Sequence, residues 1–326
     1  MTRLFLHITF FLLFSFVVFG QTVYCDFCKS QIKEKYISFE GKLYHEECYK
    51  DHIQLRCFDC GRGIDGKYIT YKQKVYHENC YEKNVALKCD LCGENIDGSF
   101  ISDYWGNNYH SFHADNEPRC DYCKRFISGK LTKGGSRYND GRVICTLCEQ
   151  TSVKSLTKGE TILNKVRLSL EKFGVVLDNI FVNLKLVDKY ELERIAAGER
   201  EVADTRGFSQ YTYYRIGNEI SDENFTIYLL NGMPEKVYEA VAAHELMHVW
   251  QYINSPDNLD LKLAEGSAEY ISYLHMKKQY DDYSKFTVKN IEDNRDPIYG
   301  EGFREIKRIV DRKGLNYLLD YISKSN

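Results

Sequence analysis

Met233-Pro234-Glu235-Lys236-Val237-Tyr238-Glu239-Ala240-Val241-Ala242-Ala243-His244-Glu245-Leu246-Met247-His248-Val249-Trp250 organises the second half of this chain. Pro234 suits the first position of a helix, where a backbone N–H has no partner to lose, and apolar residues continue through the segment. On such a helix His244 and His248 stand four residues apart on one face and can share a metal ion. Glu245 follows the first histidine, where its carboxylate reaches a water on that metal. The alternative, two histidines packed in a core, leaves unexplained the acidic segment that follows. That segment is Leu263-Ala264-Glu265-Gly266-Ser267-Ala268-Glu269-Tyr270, beyond a turn marked by Asn254, Ser255 and Pro256. Glu265 is expected as the third ligand, since two histidines and a carboxylate leave a fourth position for water, as a catalytic zinc site requires. Glu269, one turn on, either orients a ligating histidine from outside the metal shell or is a solvated helix charge.

Upstream, Thr161 to Phe173 reads as an amphipathic helix closed by Gly174, Ile180 to Val187 as a buried strand, and Lys189 to Ala197 as another helix. Phe208 to Ile216 and Asn224 to Leu230 are Tyr-rich and β-branched and predict an antiparallel hairpin. The predicted class is α+β, and Ile227 to Leu230 is expected to form a cleft edge on which extended substrate backbone pairs.

The first half is written in a different chemistry. All twelve cysteines lie between Cys25 and Cys148, and the first of each CxxC pair recurs at Cys25, Cys57, Cys89 and Cys120. Each pair is matched by a second, giving four quartets: Cys25, Cys28, His45 and Cys48; Cys57, Cys60, His77 and Cys80; Cys89, Cys92, His110 and His113; Cys120, Cys123, Cys145 and Cys148. Thiolate and imidazole suit zinc, and ligands two residues apart grip it from one tight knuckle. Disulfides would leave no use for the histidines at the third-ligand position. Short alternating segments between the pairs, such as Lys67 to Tyr71 and Gly141 to Ile144, predict β-hairpins too small to fold without metal.

The chain therefore divides, by expectation, into residues 1–20, a signal peptide; 21–150, four tandem LIM-like zinc-binding modules; and 151–326, a metallopeptidase domain. The apolar run from Leu4 to Phe19, closing on Gly20, carries the first assignment. It predicts an exported, periplasmic or secreted protein with no membrane span after signal cleavage, or an anchored one if the run is retained. Nucleic acid is not an expected partner: residues 21–150 carry 19 Lys and Arg against 19 Asp and Glu, without the basic excess that phosphate binding needs.

The sequence resembles the DA-one family, LIM-containing peptidases known from plants as ubiquitin-activated regulators of organ size. The likeness is carried by Pro118-Arg119-Cys120, Asn139-Asp140-Gly141-Arg142, Thr205-Arg206-Gly207, the segment Ala243 to Trp250, Glu265-Gly266, and Asp296-Pro297-Ile298-Tyr299-Gly300-Glu301-Gly302-Phe303-Arg304. It implies zinc-dependent endopeptidase activity on protein substrates in a gluzincin-like α+β domain, with His244 and His248 as ligands and Glu245 as catalyst. Ubiquitin activation does not carry over, because a leader runs almost directly into the first zinc module. The spacing resembles LIM-type zinc fingers with one difference: a standard LIM domain leaves two residues between paired fingers, where this chain has eight, eight and six.

The expected cofactors are five zinc ions, one catalytic and four structural. The expected partners are a protein or peptide substrate and a protein contacted through the zinc array, which presents substrate or gates the cleft. Tyr299, in a turn between Pro297 and two glycines, is the candidate donor to a developing oxyanion, or else packs that turn. The competing reading is a LIM-like binding scaffold with an inactive peptidase domain.

Overall fold

The computed structural model describes residues 5–7, 22–197, 206–216, 219–256 and 258–325. The fold is α+β, with zinc-type β-hairpin modules followed by a helical domain built on a small sheet. Two compact units emerge, Met1–Ile101 with Asn108–Ser111, and Ser102–Asn107 with Phe112–Asn326. The division between these units falls inside the third module.

In the first unit each module is a hairpin running into a short helix. Tyr36–Phe39 pairs with Lys42–His45 and leads into Glu46–His52; Tyr68–Tyr71 pairs with Lys74–His77 and leads into Glu78–Asn84. The third ligand thus ends a strand and the fourth sits on the helix that follows. The fully buried cores are tiny: Cys25, Ile32, Tyr44 and Tyr49 in one, Cys57, Ile64 and Tyr76 in the other. Cores of this size stabilise a module only together with its metal. Most of the expected signal segment lies outside the described residues, and Phe5–His7 pairs antiparallel with Tyr68–Thr70.

The second unit holds one continuous core, and the fourth quartet belongs to it. Cys120, Cys123, Cys145 and Cys148 are all buried alongside Val166, Leu230, Leu246 and Ile271. A buried ion pair fastens the module: Arg142 grips Asp140 at 2.7 Å and donates to the Tyr122 hydroxyl at 2.7 Å and to the Asn231 carbonyl at 2.9 Å. Asp140 in turn accepts from the Lys189 N–H at 3.1 Å, at the start of helix Lys189–Ala196. Paired and bonded on every side, such charges hold one geometry, and removing either would strand the other. This packing is why the unit boundary precedes the fourth module.

The sheet has Glu219–Leu230 at its centre, parallel to Val182–Val187 and antiparallel to Gly207–Ile216. Ile227 to Leu230 is therefore interior, and the expectation that it forms a cleft edge is corrected: a strand paired on both sides has no N–H or C=O row left for substrate. The edges are Gly207–Ile216 and Val182–Val187, and the first of them carries Gly207 and Phe208 beside the cleft. Helix Glu235–Asn254 packs on this sheet and is buried on nearly every face, from Val237 through Gln251, as expected of a helix apolar all round. Pro234 caps it and, with Met233, forms a short strand against Ser152–Val153.

Two glycines bring the remaining helices close. A Cβ on Gly266 would lie 2.5 Å from the Gly302 carbonyl carbon, and one on Gly302 would lie 2.7 Å from the Lys262 carbonyl oxygen. Helices Leu261–Lys277 and Tyr299–Lys313 thus meet backbone to backbone, which only glycine at the crossing permits. One crossing partner is the residue after Glu265 and the other lies three residues after Tyr299.

Candidate metal centre and catalytic cleft

Helix Glu235–Asn254 projects His244 and His248 toward Glu265 on helix Leu261–Lys277, whose first turn is capped by Asp260 accepting from the Leu263 N–H at 2.9 Å. The His244 and His248 Nε2 atoms lie 3.0 Å apart, and Glu265 Oε2 is 3.1 Å from the first and 3.3 Å from the second. Three donors at the vertices of a tetrahedron with zinc-type bond lengths stand about 3.3 Å apart. Glu265 is 1% exposed, so its charge has left water and needs a cation.

The hydrogen bonds behind the ligands decide which nitrogen faces inward. His248 Nδ1 is 2.7 Å from Gln251 Oε1, an acceptor, so Nδ1 carries the proton and Nε2 keeps a free lone pair. His244 Nδ1 lies 3.4 Å from Glu269 Oε1, which selects the same tautomer. Both imidazoles are thereby set as Nε2 donors, and the donor set fits zinc. Glu269 lies where it can orient His244, whereas Gln251 carried no signal in the sequence beyond its place three residues after His248.

A cavity of about 850 Å³ opens over this triad, lined among others by Glu245, Gly207, Arg206, Tyr122 and Tyr299. Glu245 is 5% exposed. A Cβ on Gly207 would sit 2.8 Å from Glu245 Oε1, so the edge strand makes room for that carboxylate by having no side chain there. The Tyr299 ring lies 6.2 Å from the His244 ring and nearly parallel to it. Tyr299 opens a helix rather than sitting in a free turn: its N–H and that of Ile298 both donate to Asp296 Oδ1 at 2.8 Å.

The cysteine quartets gather as well. In the first, second and fourth, one ligand atom from each residue lies within 4.8 Å of the others. Here the histidines turn the other nitrogen inward. His45, His77 and His110 face a cysteine sulfur through Nδ1 at 3.3, 3.4 and 3.5 Å. Their Nε2 atoms lie 3.3, 3.0 and 3.1 Å from the carbonyls of Gln31, Gly63 and Asn95. Burial alone would raise the Cys25 thiol, but backbone N–H groups of Cys28, His45 and Phe27 point at its sulfur and bring it down to about 6. A thiol so placed is readily the thiolate that zinc takes.

Comparison with known proteins agrees with this geometry. Residues 25–85 match the LIM domain, so the first two modules form a zinc-binding LIM pair despite the eight-residue spacer. The chain is 24% identical to Protein DA1-related 7 of Arabidopsis thaliana, over 67% of this chain and 49% of that one. It is 24% identical to LIM domain-containing protein HDR3 of Oryza sativa subsp. japonica over 91% of this chain and 67% of that one. Protein DA1 of Arabidopsis thaliana is 22% identical over 91% of this chain and 61% of its own. The chain thus spans about half to two thirds of these relatives.

These likenesses overturn the expected export. The relatives are LIM-domain and DA1 proteins of plants, and residues 25–85 of this chain match the same LIM domain. No helix among the described residues is long and apolar enough to cross a membrane. With a LIM match at residues 25–85 and similarity to LIM domain-containing protein HDR3 and Protein DA1 over nine tenths of its length, the chain is similar to the DA1 group of plant LIM-domain proteins.

Proposed function

We propose that this chain is a zinc-dependent endopeptidase acting on protein substrates, with His244, His248 and Glu265 as the catalytic metal ligands and Glu245 as general base. The observation that carries it is the convergence of two Nε2 atoms and one carboxylate oxygen, each within 3.3 Å of the others, beneath a cleft that Glu245 also lines. A zinc ion held there supplies a Lewis acid and acidifies a bound water. Glu245 is a buried carboxylate outside the ligand set that lines the cleft. It accepts the proton of the attacking water and returns it to the leaving amine. Gly207 keeps that carboxylate uncrowded, and Tyr299 donates its phenol proton toward the oxyanion. The edge strand Gly207–Ile216 offers the backbone on which an extended peptide lies.

The four Cys/His quartets hold structural zinc, for a total of five ions per chain, and the LIM pair serves as a protein-contact module. Metal analysis of wild type beside His248→Ala tests this reading. The expected counts are five and four, with peptide turnover lost in the variant. Equal counts would remove the catalytic centre and favour a LIM scaffold.

A further inference from the structure

We infer that Gln251 is a positioning residue that locks His248 into its metal-binding tautomer and couples it mechanically to Glu265; the inference rests on the metal centre proposed above. Gln251 is buried, and both ends of its amide are committed. Oε1 faces His248 Nδ1 at 2.7 Å, while Nε2 donates to the Ala264 carbonyl at 2.9 Å and to Ser267 Oγ at 2.9 Å. A carbonyl can only accept, so the amide cannot be flipped, and the end presented to His248 is the acceptor. Ser267 completes the arrangement by donating to the Leu263 carbonyl at 2.8 Å.

Two consequences follow. The His248 Nδ1 must carry the ring's proton, which leaves Nε2 as the lone pair pointing at His244 and Glu265. Ala264, whose carbonyl receives the other end of the amide, is the residue immediately before Glu265. One side chain therefore bridges the second ligand and the backbone that carries the third, across two helices. A merely space-filling residue here would take the Gln251 acceptor from the His248 Nδ1–H and cut the amide's link to Ala264, while Ser267 would keep its bonds to the Leu263 and Ala264 carbonyls.

Three variants separate positioning from packing. Gln251→Leu keeps the volume and removes the acceptor; Gln251→Glu keeps an acceptor for Nδ1–H; Ser267→Ala removes one anchor of the amide. Zinc affinity at the catalytic site, measured by competition with a chelator, should fall about ten- to a hundredfold in Gln251→Leu, less in Ser267→Ala, and recover to within a few-fold of wild type in Gln251→Glu. Nitrogen-15 spectra of metal-free protein should show the His248 Nδ1–H tautomer in wild type and in Gln251→Glu, and mixed tautomers in Gln251→Leu. Unchanged tautomer and zinc affinity in Gln251→Leu would overturn the inference, as would a Gln251→Glu variant as weak as Gln251→Leu. Neither readout depends on peptide cleavage, so a wild type that binds zinc but cleaves nothing would sink the peptidase reading while leaving the lock intact.

Discussion

The zinc-type modules and the candidate metal centre both place histidine, yet they use opposite faces of the ring. His45, His77 and His110 present Nδ1 and rest Nε2 on a backbone carbonyl; His244 and His248 present Nε2 and rest Nδ1 on side chains, Glu269 and Gln251. The nitrogen that binds is chosen by the partner of the other. A carbonyl fixed by the hairpin gives a site as rigid as the backbone, which suits a structural ion. A side-chain partner gives a site whose ligand basicity can be tuned, which suits a catalytic one. A second contrast lies among the cysteines. Those of the first unit sit on small cores and two, Cys28 and Cys92, are exposed, whereas the fourth quartet is buried in the main core of the second unit.

The largest effect should come from breaking that second contrast. Cys145→Ser is expected to abolish the cooperative unfolding transition of the second unit, since its metal and core fold together, whereas Cys28→Ser should leave that transition in place; calorimetry on the full chain separates them. Next in size is Tyr299→Phe, which keeps the ring and removes only the hydroxyl. Turnover should drop roughly a hundredfold with zinc content unchanged; unchanged turnover would leave Tyr299 as packing between His244 and the helix it opens. Glu269→Ala should then lower catalytic zinc affinity by roughly ten- to a hundredfold, with the LIM quartets unaffected because their histidines lean on backbone. Equal loss at both kinds of site would dissolve the comparison. Smallest, Gly302→Ala should cost about 1–3 kcal/mol in thermal or denaturant unfolding, because the added methyl meets the Lys262 carbonyl and forces the two helices apart.

Much of this arrangement is legible in the residues alone. Ligand spacing of three and four residues is a local property of knuckles and helices, so the quartets and the grouping of His244, His248 and Glu265 can be read from the chain. The antiparallel hairpin was legible from its tyrosines, although it extends to Glu219 rather than starting at Asn224. What escapes sequence reading is long-range. Nothing local says that Asp140 and Arg142 reach Lys189 and Asn231 and so draw the fourth module into the second unit. The order of strands decides that Glu219–Leu230 is central and Gly207–Ile216 an edge, and both carry similar β-branched and aromatic patterns. Gln251 looks like any polar helix residue until its amide is seen between His248 and Ala264. The apolar leader misled on location because hydrophobicity alone does not report compartment; the correction came from the plant relatives.

The central claim, that this cleft hydrolyses peptide bonds with Glu245 moving the proton, is tested most directly by turnover of a broad peptide library with zinc-loaded wild type beside Glu245→Gln. The substitution preserves shape and leaves every proposed ligand in place. The account predicts the same zinc content in both proteins and turnover lower by about a hundredfold or more in the variant. Equal turnover, or none from the zinc-loaded wild type, would contradict it.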